Sequence, residues 1–183
     1  WIFNSSYYPL QVLKRISAAD SSGVWQQITQ NANKMLIAVS VNSYSPDWSI
    51  YQEQQGCIIA ADKGTSGSYD AIRVYLWAGM LHHDDPDKKS LMAKHTGMLD
   101  WLMQGRDAPP ENIDTQTGVA SGVAPAGFSA ALLPYLMSYN KPALAQAQLN
   151  RVQKKSHGVL IGEQQHYYDQ VLGLFGLGWY HGK

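Results

Sequence analysis

The chain has 183 residues, 45% of them hydrophobic, and its 14 lysines and arginines balance its 14 aspartates and glutamates. This length suits one domain with a sizeable core. The zero net charge lacks the basic excess typical of nucleic-acid-binding proteins, so we expect no nucleic-acid partner. No apolar run approaches the roughly 20 residues of a membrane-spanning helix, and the lone Cys57 cannot form a disulfide within the chain.

The composition is poor in charged residues and rich in aromatic and neutral polar residues. Only 15% of the residues are charged, whereas the chain has six tryptophans and eleven tyrosines. Flat aromatic rings beside amides and hydroxyls suit an uncharged, hydroxyl-rich ligand such as a sugar. Packing in the core is the alternative explanation, and we favour it for most of these rings.

Helical periodicity runs through most of the chain. Leu10, Leu13 and Ile16 recur at helical spacing, and the same pattern returns in later segments. Asp85 followed by Pro86 is typical of a helix start. Pro134 lies inside another apolar segment and predicts a kink or a break there. The predicted helices cover 9–17, 23–39, 70–81, 85–104, 127–139, 142–157 and 163–181.

Two long connections interrupt the helices. Residues 40–67 contain apolar stretches that could form short strands, and residues 105–126 contain a turn signal at Thr117-Gly118 that predicts a hairpin. Long loops in a compact helical domain are often functional. We therefore predict an all-α unit over 1–183, built of antiparallel helices, with long loops and a short β-hairpin on one rim.

An acid and a guanidinium stand close together at the start of the third predicted helix. Asp70 and Arg73 are three residues apart and share a helix face. A helix N-terminus and a nearby guanidinium both favour an ionised carboxylate, which can accept a proton. An ordinary ion pair at a helix start is the alternative explanation of the same spacing.

Other motifs do not indicate a cofactor or a metal. His82-His83-Asp84-Asp85 offers ligand types, but adjacent side chains are expected to point to different sides, and no second ligand group has suitable spacing. Gly122 to Gly127 lacks the Lys-Ser/Thr end of a phosphate loop. Gly173, Gly176 and Gly178 are spaced through a helical pattern, and we expect them to allow close helix packing. We expect neither a cofactor nor a metal.

Five segments in order carry a resemblance to glycoside hydrolase family 8. Within that family the chain is similar to the periplasmic endoglucanases associated with bacterial cellulose synthase. Ser5 stands where the family usually has proline, which alters a turn and little of the chemistry. The segments are WIFNSSYYP (1–9), YSPDW (44–48), SYDAIRVYLWAGM (68–80), PAGFSAALLPYL (125–136) and YYDQVLGLFGLGW (167–179).

The resemblance implies an (α/α)6 barrel and the hydrolysis of β-1,4-glucan with inversion. It assigns Asp70 the role of general base, while Tyr69 and Arg73 orient Asp70 and the attacking water. Asp47 and Trp48 are interpreted as structural parts of a loop, with contact to distant sugar units as the alternative, and Trp77 is interpreted as a core residue. The residues that the resemblance places along the sugar-binding cleft are Trp1, Asn4, Tyr7, Tyr167 and Tyr168.

The general acid of the family is a glutamate in the amino-terminal half of the domain, and this chain resembles only the carboxy-terminal half. Glu53, Glu111 and Glu163 do not match the motif of that acid. We therefore expect a piece of a longer protein that is inactive alone. We expect it either to fold stably only beside its amino-terminal half or to persist as a fragment clipped from the folded parent. The resemblance also implies a periplasmic or secreted location and a possible association with the cellulose synthase machinery.

Two other functions are compatible with parts of the pattern. A non-catalytic glucan-binding or scaffold module would keep the cleft without the acid, and the gene of the whole protein would show whether the glutamate is encoded. A different helical-toroid enzyme, such as a polysaccharide lyase or a mannosidase-like hydrolase, would not explain segments 1–9 and 68–80 in this order.

Overall fold

A computed structural model describes residues 1–162, 164 and 166–182, and all of their side chains except that of Ala61. Within these residues the chain forms eight α-helices and six short strands. The helices are α1 Leu10–Ala19, α2 Val24–Ala38, α3 Ile72–Met80, α4 Lys88–Lys94, α5 Gly97–Met103, α6 Ala126–Ser138, α7 Pro142–Lys154 and α8 Tyr167–Tyr180. The strands are β1 Ile2–Asn4, β2 Trp48–Gln52, β3 Gly56–Ile59, β4 Ser66–Gly67, β5 Asn112–Asp114 and β6 Ala120–Ser121; short 3-10 helices cover Ser5–Tyr7 and Ala61–Lys63.

The predicted helix over 85–104 is wrong, because the structure has two helices there. Between α4 and α5 the chain leaves the helical path at His95, whose buried Nδ1 contacts the carbonyl of Leu91 at 2.8 Å. The amide of Gly97 then donates to the carbonyl of Ser43, 3.1 Å away in another segment. Bonds to remote segments thus replace the bonds that would have continued one helix.

The predicted helix start at Asp85 is also wrong, since α4 begins at Lys88. The Asp85 carboxylate accepts a hydrogen bond from the Asp87 amide at 3.0 Å. It also pairs with the Lys14 ammonium at 2.5 Å. Asp85 therefore ties the chain after α3 to α1.

Helix α6 forms the centre of the core. Every residue from Ala126 to Leu136 is buried, and the helix packs against α3, α7 and α8. It runs without a break through Pro134. Of the predicted kink or break, the break is therefore wrong, and the kink stays a prediction. Because proline has no N–H, the Ala130 carbonyl loses its helical donor, and Gly176 of α8 packs against it so closely that a Cβ would lie 2.0 Å from the oxygen. The expected close packing is thereby confirmed at Gly176.

Two antiparallel sheets of three strands each flank the helices. In the first, β2 lies between β1 and β3, with Ile50 opposite both Ile2 and Ile58. In the second, β5 pairs with β6 as the predicted hairpin and also with β4, which the sequence did not predict. The fold is thus helix-rich with two small sheets rather than all-α.

The sheets and helices bring the N-terminal ends of four helices to one rim. Strand β1 leads through Ser5–Tyr7 into α1, and β4 leads into α3. Tyr7 before α1 contacts Arg73 of α3, and Tyr69 before α3 contacts Phe128 of α6 and Tyr168 of α8. None of the described helices is long and apolar enough to cross a membrane.

Candidate functional site

Asp70, Arg73 and Tyr7 form the charged part of the rim. Asp70 lies just before α3, and the Nη2 of Arg73 donates a hydrogen bond to its Oδ1. The two side chains are 28% and 25% exposed, so solvent reaches both. The guanidinium carbon lies 5.5 Å from the centre of the exposed Tyr7 ring. The structure thus brings together an accessible carboxylate, a cation and an aromatic face. The carboxylate can accept a proton, and the Tyr7 ring beside it is large enough to stack against a sugar ring.

Tyr69 is held by a carboxylate that the sequence did not link to it. Its hydroxyl donates to Oε1 of Glu111 at 2.7 Å. This hydrogen bond to a carboxylate is the main cause that raises the pKa of Tyr69 to about 12, with burial adding to it. The ring packs edge-on against Phe128, with centroids 5.2 Å apart. Tyr69 is therefore a protonated phenol in a fixed orientation at neutral pH.

The first turn of α8 joins two neighbouring helices at the rim. The Tyr168 hydroxyl donates to the carbonyl of Tyr69, and burial raises the pKa of this phenol. The buried Asp169 carboxylate accepts the amide of Gly127 at 2.6 Å, in the first turn of α6. A Cβ at Gly127 would lie 2.5 Å from that carboxylate oxygen, so only glycine fits there without a shift.

A cleft of about 380 Å³ opens beside Tyr69. Its wall combines charged, polar and apolar side chains from the loops before β5 and α6, from α7 and from the first turn of α8. They include Tyr69, Glu111, Pro125, Arg151, His166 and Asp169.

The predicted sugar-contacting residues fall into two groups. Trp1, Tyr7 and Tyr167 expose 87%, 64% and 83% of their surface, as a stacking platform requires. Tyr168 is partly buried and bonded to Tyr69, as described above. Asn4 is buried, and its Oδ1 accepts from the amide and the hydroxyl of Ser6 at 3.0 and 2.5 Å. Asn4 therefore shapes the turn that carries Tyr7, and it presents no amide to solvent.

The remaining candidate residues lie apart from this group, and one of them lies outside the residues that the structure describes. Glu53 is exposed in the turn between β2 and β3, and Glu163 lies outside the described residues. His82, His83 and Asp84 are exposed, and their ligand atoms lie within 4.8 Å of one another, so the expectation that they point to different sides is wrong. Exposed groups of this kind are common at surfaces that bind no ion.

Trp77 lies in a partly buried position behind the rim. Its Nε1 donates to the carbonyl of Ser6 at 3.0 Å, and its ring packs edge-on against Phe175, with centroids 5.2 Å apart. The interpretation of Trp77 as a core residue is confirmed in part, because the side chain packs against the core but is only partly buried. Trp77 connects α3 to the segment that carries Tyr7.

Comparison with known proteins identifies a family over nearly the whole chain. The profile described as "Glycosyl hydrolases family 8" matches residues 1–182. An endoglucanase of Xanthomonas axonopodis pv. citri (strain 306) is 42% identical over 181 residues, which make up 98% of this chain and 46% of that protein. The chain therefore spans about half the length of the curated relatives that it matches.

Solved structures agree with the sequence comparison. The endo-1,4-D-glucanase from Vibrio fischeri ES114 superposes with a TM-score of 0.80 at 35% identity, covering 98% of this chain and 51% of that one. The endo-beta-1,4-glucanase CMCax from Acetobacter xylinum has a TM-score of 0.65 at 25% identity, covering 96% of this chain and 50% of that one.

Proposed function

The chain belongs to glycosyl hydrolase family 8, and from this premise we propose that it is the carboxy-terminal part of an inverting endo-β-1,4-glucanase. Asp70 is the general base in this proposal. The observation that carries it is the solvent-accessible Asp70 carboxylate held by Arg73 at the start of a buried helix, with the exposed Tyr7 ring beside it. This is the arrangement that activation of a water molecule next to a sugar requires.

The chemistry needs two carboxyl groups with different tasks. An inverting glycosidase places them roughly 6.5–9.5 Å apart, so that water fits between the base and the anomeric carbon. Asp70 removes a proton from that water as it attacks, and the acid gives a proton to the departing glycosidic oxygen. Arg73 and Tyr69 fix the orientation of Asp70. We assign the acid to a glutamate in an amino-terminal half, because none of Glu53, Glu111 and Glu163 matches the sequence motif of that acid.

We further propose that the complete domain is an (α/α)6 barrel formed with that amino-terminal half. The apolar side chains on the outer helices support this arrangement. On α8, Leu174, Phe175 and Trp179 are 72%, 40% and 36% exposed. Val12 of α1 and Val24 of α2 are also exposed. Surfaces of this kind are usually covered by another part of the protein.

The proposed substrate is a β-1,4-glucan chain lying along the rim. The exposed rings of Trp1, Tyr7 and Tyr167 can stack against pyranose faces, and the neutral polar composition suits an uncharged ligand. Export to the periplasm or beyond and association with a cellulose-synthesising assembly remain predictions that rest on the sequence resemblance. A direct contact between Asn4 and sugar also stays a prediction.

Release of reducing ends from soluble carboxymethylcellulose tests the proposal. The chain is assayed alone and as the two-half protein, in which it is produced together with the amino-terminal half encoded by its own gene. Asp70→Asn is the test variant, and Asp62→Asn, at an exposed residue of the 3-10 helix Ala61–Lys63, is the matched control. We expect activity only in the two-half protein, a loss of at least about 10³-fold in Asp70→Asn, and no loss in Asp62→Asn.

Three results would contradict the proposal. Full activity of Asp70→Asn would remove Asp70 from the base role. Binding of glucan by an inactive two-half protein would favour a non-catalytic glucan-binding module. Activity of the chain alone would place the acid within these 183 residues.

A further inference from the structure

We infer that Asp47 is the positioning residue that sets the geometry of Asp70, an inference that rests on the proposed function. Asp47 lies 23 positions before Asp70, in the loop that leads into β2. Its side chain is only 8% exposed, so it does not face the rim as a reacting group. It acts instead through the backbone of the segment that carries Tyr69 and Asp70.

The Asp47 carboxylate accepts three hydrogen bonds from that segment. Its Oδ1 accepts the amides of Ser68 and Ala71, both at 2.8 Å. Its Oδ2 accepts the hydroxyl of Ser68 at 2.6 Å. Ala71 directly precedes α3, so the carboxylate caps this helix from a remote segment, where a negative charge is favoured by the helix N-terminus.

The two bonded amides bracket the reacting residue. Tyr69 and Asp70 lie between Ser68 and Ala71, so the backbone is fixed on both sides of the pair. Hydrogen bonds to a carboxylate are about twice as strong as neutral ones. The position of the Asp70 carboxylate relative to Arg73 is therefore set by the Asp47 carboxylate as well as by the ion pair. We call the Asp47 carboxylate and its three hydrogen bonds the anchor.

The backbone on each side of Asp47 strengthens this anchor. The Asp47 amide donates to the carbonyl of Ser66 at 2.8 Å. Gly67 packs so tightly against the Ser45 carbonyl that a Cβ would lie 2.3 Å from the oxygen. The Ser45 amide is in turn bonded to the hydroxyl of the buried Tyr75 at 3.0 Å. Segments 45–47 and 66–71 are therefore joined by backbone and side-chain hydrogen bonds.

The test compares variants of this anchor in the two-half protein. Asp47→Ala removes all three acceptors, Asp47→Asn keeps one oxygen for the two amides, and Ser68→Ala removes only the hydroxyl contact. Asp85→Ala is the matched control, because Asp85 also accepts an amide near a helix start but lies beyond the other end of α3. For each variant, kcat and KM on soluble carboxymethylcellulose are measured beside the melting temperature.

We expect Asp47→Ala to lower kcat by about 30- to 100-fold, since a misplacement of about 1 Å costs a reacting group up to about 10²-fold. KM should stay within about threefold, because the rings that hold the sugar are untouched. Asp47→Asn should recover most of the loss, leaving kcat about two- to fivefold low, and Ser68→Ala should show a loss of similar size. Asp85→Ala should lower the melting temperature and leave kcat unchanged.

A folded Asp47→Ala protein with unchanged kcat would overturn the inference, as would equal losses of kcat in Asp47→Ala and Asp85→Ala. If Asp47→Ala does not fold, unchanged kcat in both Asp47→Asn and Ser68→Ala would overturn it. Failure of the proposed function gives different results. In that case the unsubstituted two-half protein is inactive or Asp70→Asn is active, and this inference is then wrong as well.

Discussion

The buried His95 makes the stability of the fold depend on pH in a window that can be calculated. Its ring is fully buried, Nδ1 contacts the Leu91 carbonyl, and Nε2 has no partner among the described residues. A carbonyl accepts only, so Nδ1 carries the proton of the neutral ring. Burial of a group that would become charged lowers the pKa of His95 from 6.5 to about 4.

The sign and size of the effect follow from proton linkage. Between about pH 6.5 and pH 4 the unfolded chain binds a proton at His95 and the folded chain does not, so stability falls as the pH falls through this window. Each pKa unit is worth about 1.4 kcal/mol, so the full difference amounts to roughly 3 kcal/mol. This contribution to the free energy of unfolding is fully present above about pH 6.5 and is lost at and below about pH 4.

The assay is urea unfolding of the two-half protein, followed by circular dichroism between pH 4 and pH 7. In His95→Asn the side-chain amide can still donate to Leu91, but the group no longer titrates. We expect this variant to be less stable at pH 7 and the gap to wild type to shrink by roughly 3 kcal/mol on acidification to pH 4. His157→Asn, at an exposed histidine, should leave the wild-type pH dependence in place. A gap for His95→Asn that stays constant from pH 7 to pH 4 would refute the reasoning.

Two further substitutions test the packing of α8 and the environment of Tyr69. Gly176→Ala should lower the free energy of unfolding by roughly 1–3 kcal/mol, because its Cβ would lie 2.0 Å from the Ala130 oxygen. The control Gln153→Ala, on the exposed face of α7, should change this free energy by less than about 0.5 kcal/mol. Equal stability of the two variants would contradict the packing argument. Glu111→Gln should lower the pKa of Tyr69 from about 12 toward 10, because the neutral amide no longer penalises the phenolate. Phenolate absorbance, titrated against the same protein carrying Tyr69→Phe, measures this pKa, and an unchanged value would contradict the assignment of its cause to Glu111.

Sequence periodicity predicted the helices whose boundaries are set locally. Helices α1, α2 and α7 follow from spacing and terminal signals, and the hairpin of β5 and β6 from its turn residues. The break between α4 and α5 could not be predicted, because its determinants lie far away in the chain. Besides the bond of Gly97 to Ser43, the Tyr135 hydroxyl of α6 donates to the His95 carbonyl at 2.5 Å. Such tertiary bonds override local helix propensity.

In the candidate site, too, local sequence predicts some contacts, and others depend on residues far apart in the chain. Asp70 and Arg73 are three residues apart, so helix geometry was sufficient to predict their contact. Glu111 and Tyr69 are 42 residues apart and Tyr168 and Tyr69 are 99 apart, and neither pair carries a local signal. Asp47 was predicted to be structural, but its bonds to Ser68 and Ala71 could be known only from the fold. Sequence thus identified the proposed reacting group, and the fold identified what holds it.

The distribution of burial indicates the surface against which we expect the proposed amino-terminal half to pack. Helix α6 is surrounded by α3, α7 and α8 and is buried along its length, so packing is complete at the centre of the chain. Helices α1 and α8 expose apolar side chains, among them Val12, Leu174 and Phe175. Tyr7, in the 3-10 helix just before α1, and Tyr168, in the first turn of α8, lie at the rim. A half that covers both helices would close the ring of helices and would also border the rim near Asp70, so we expect barrel closure and completion of the active site to be one event.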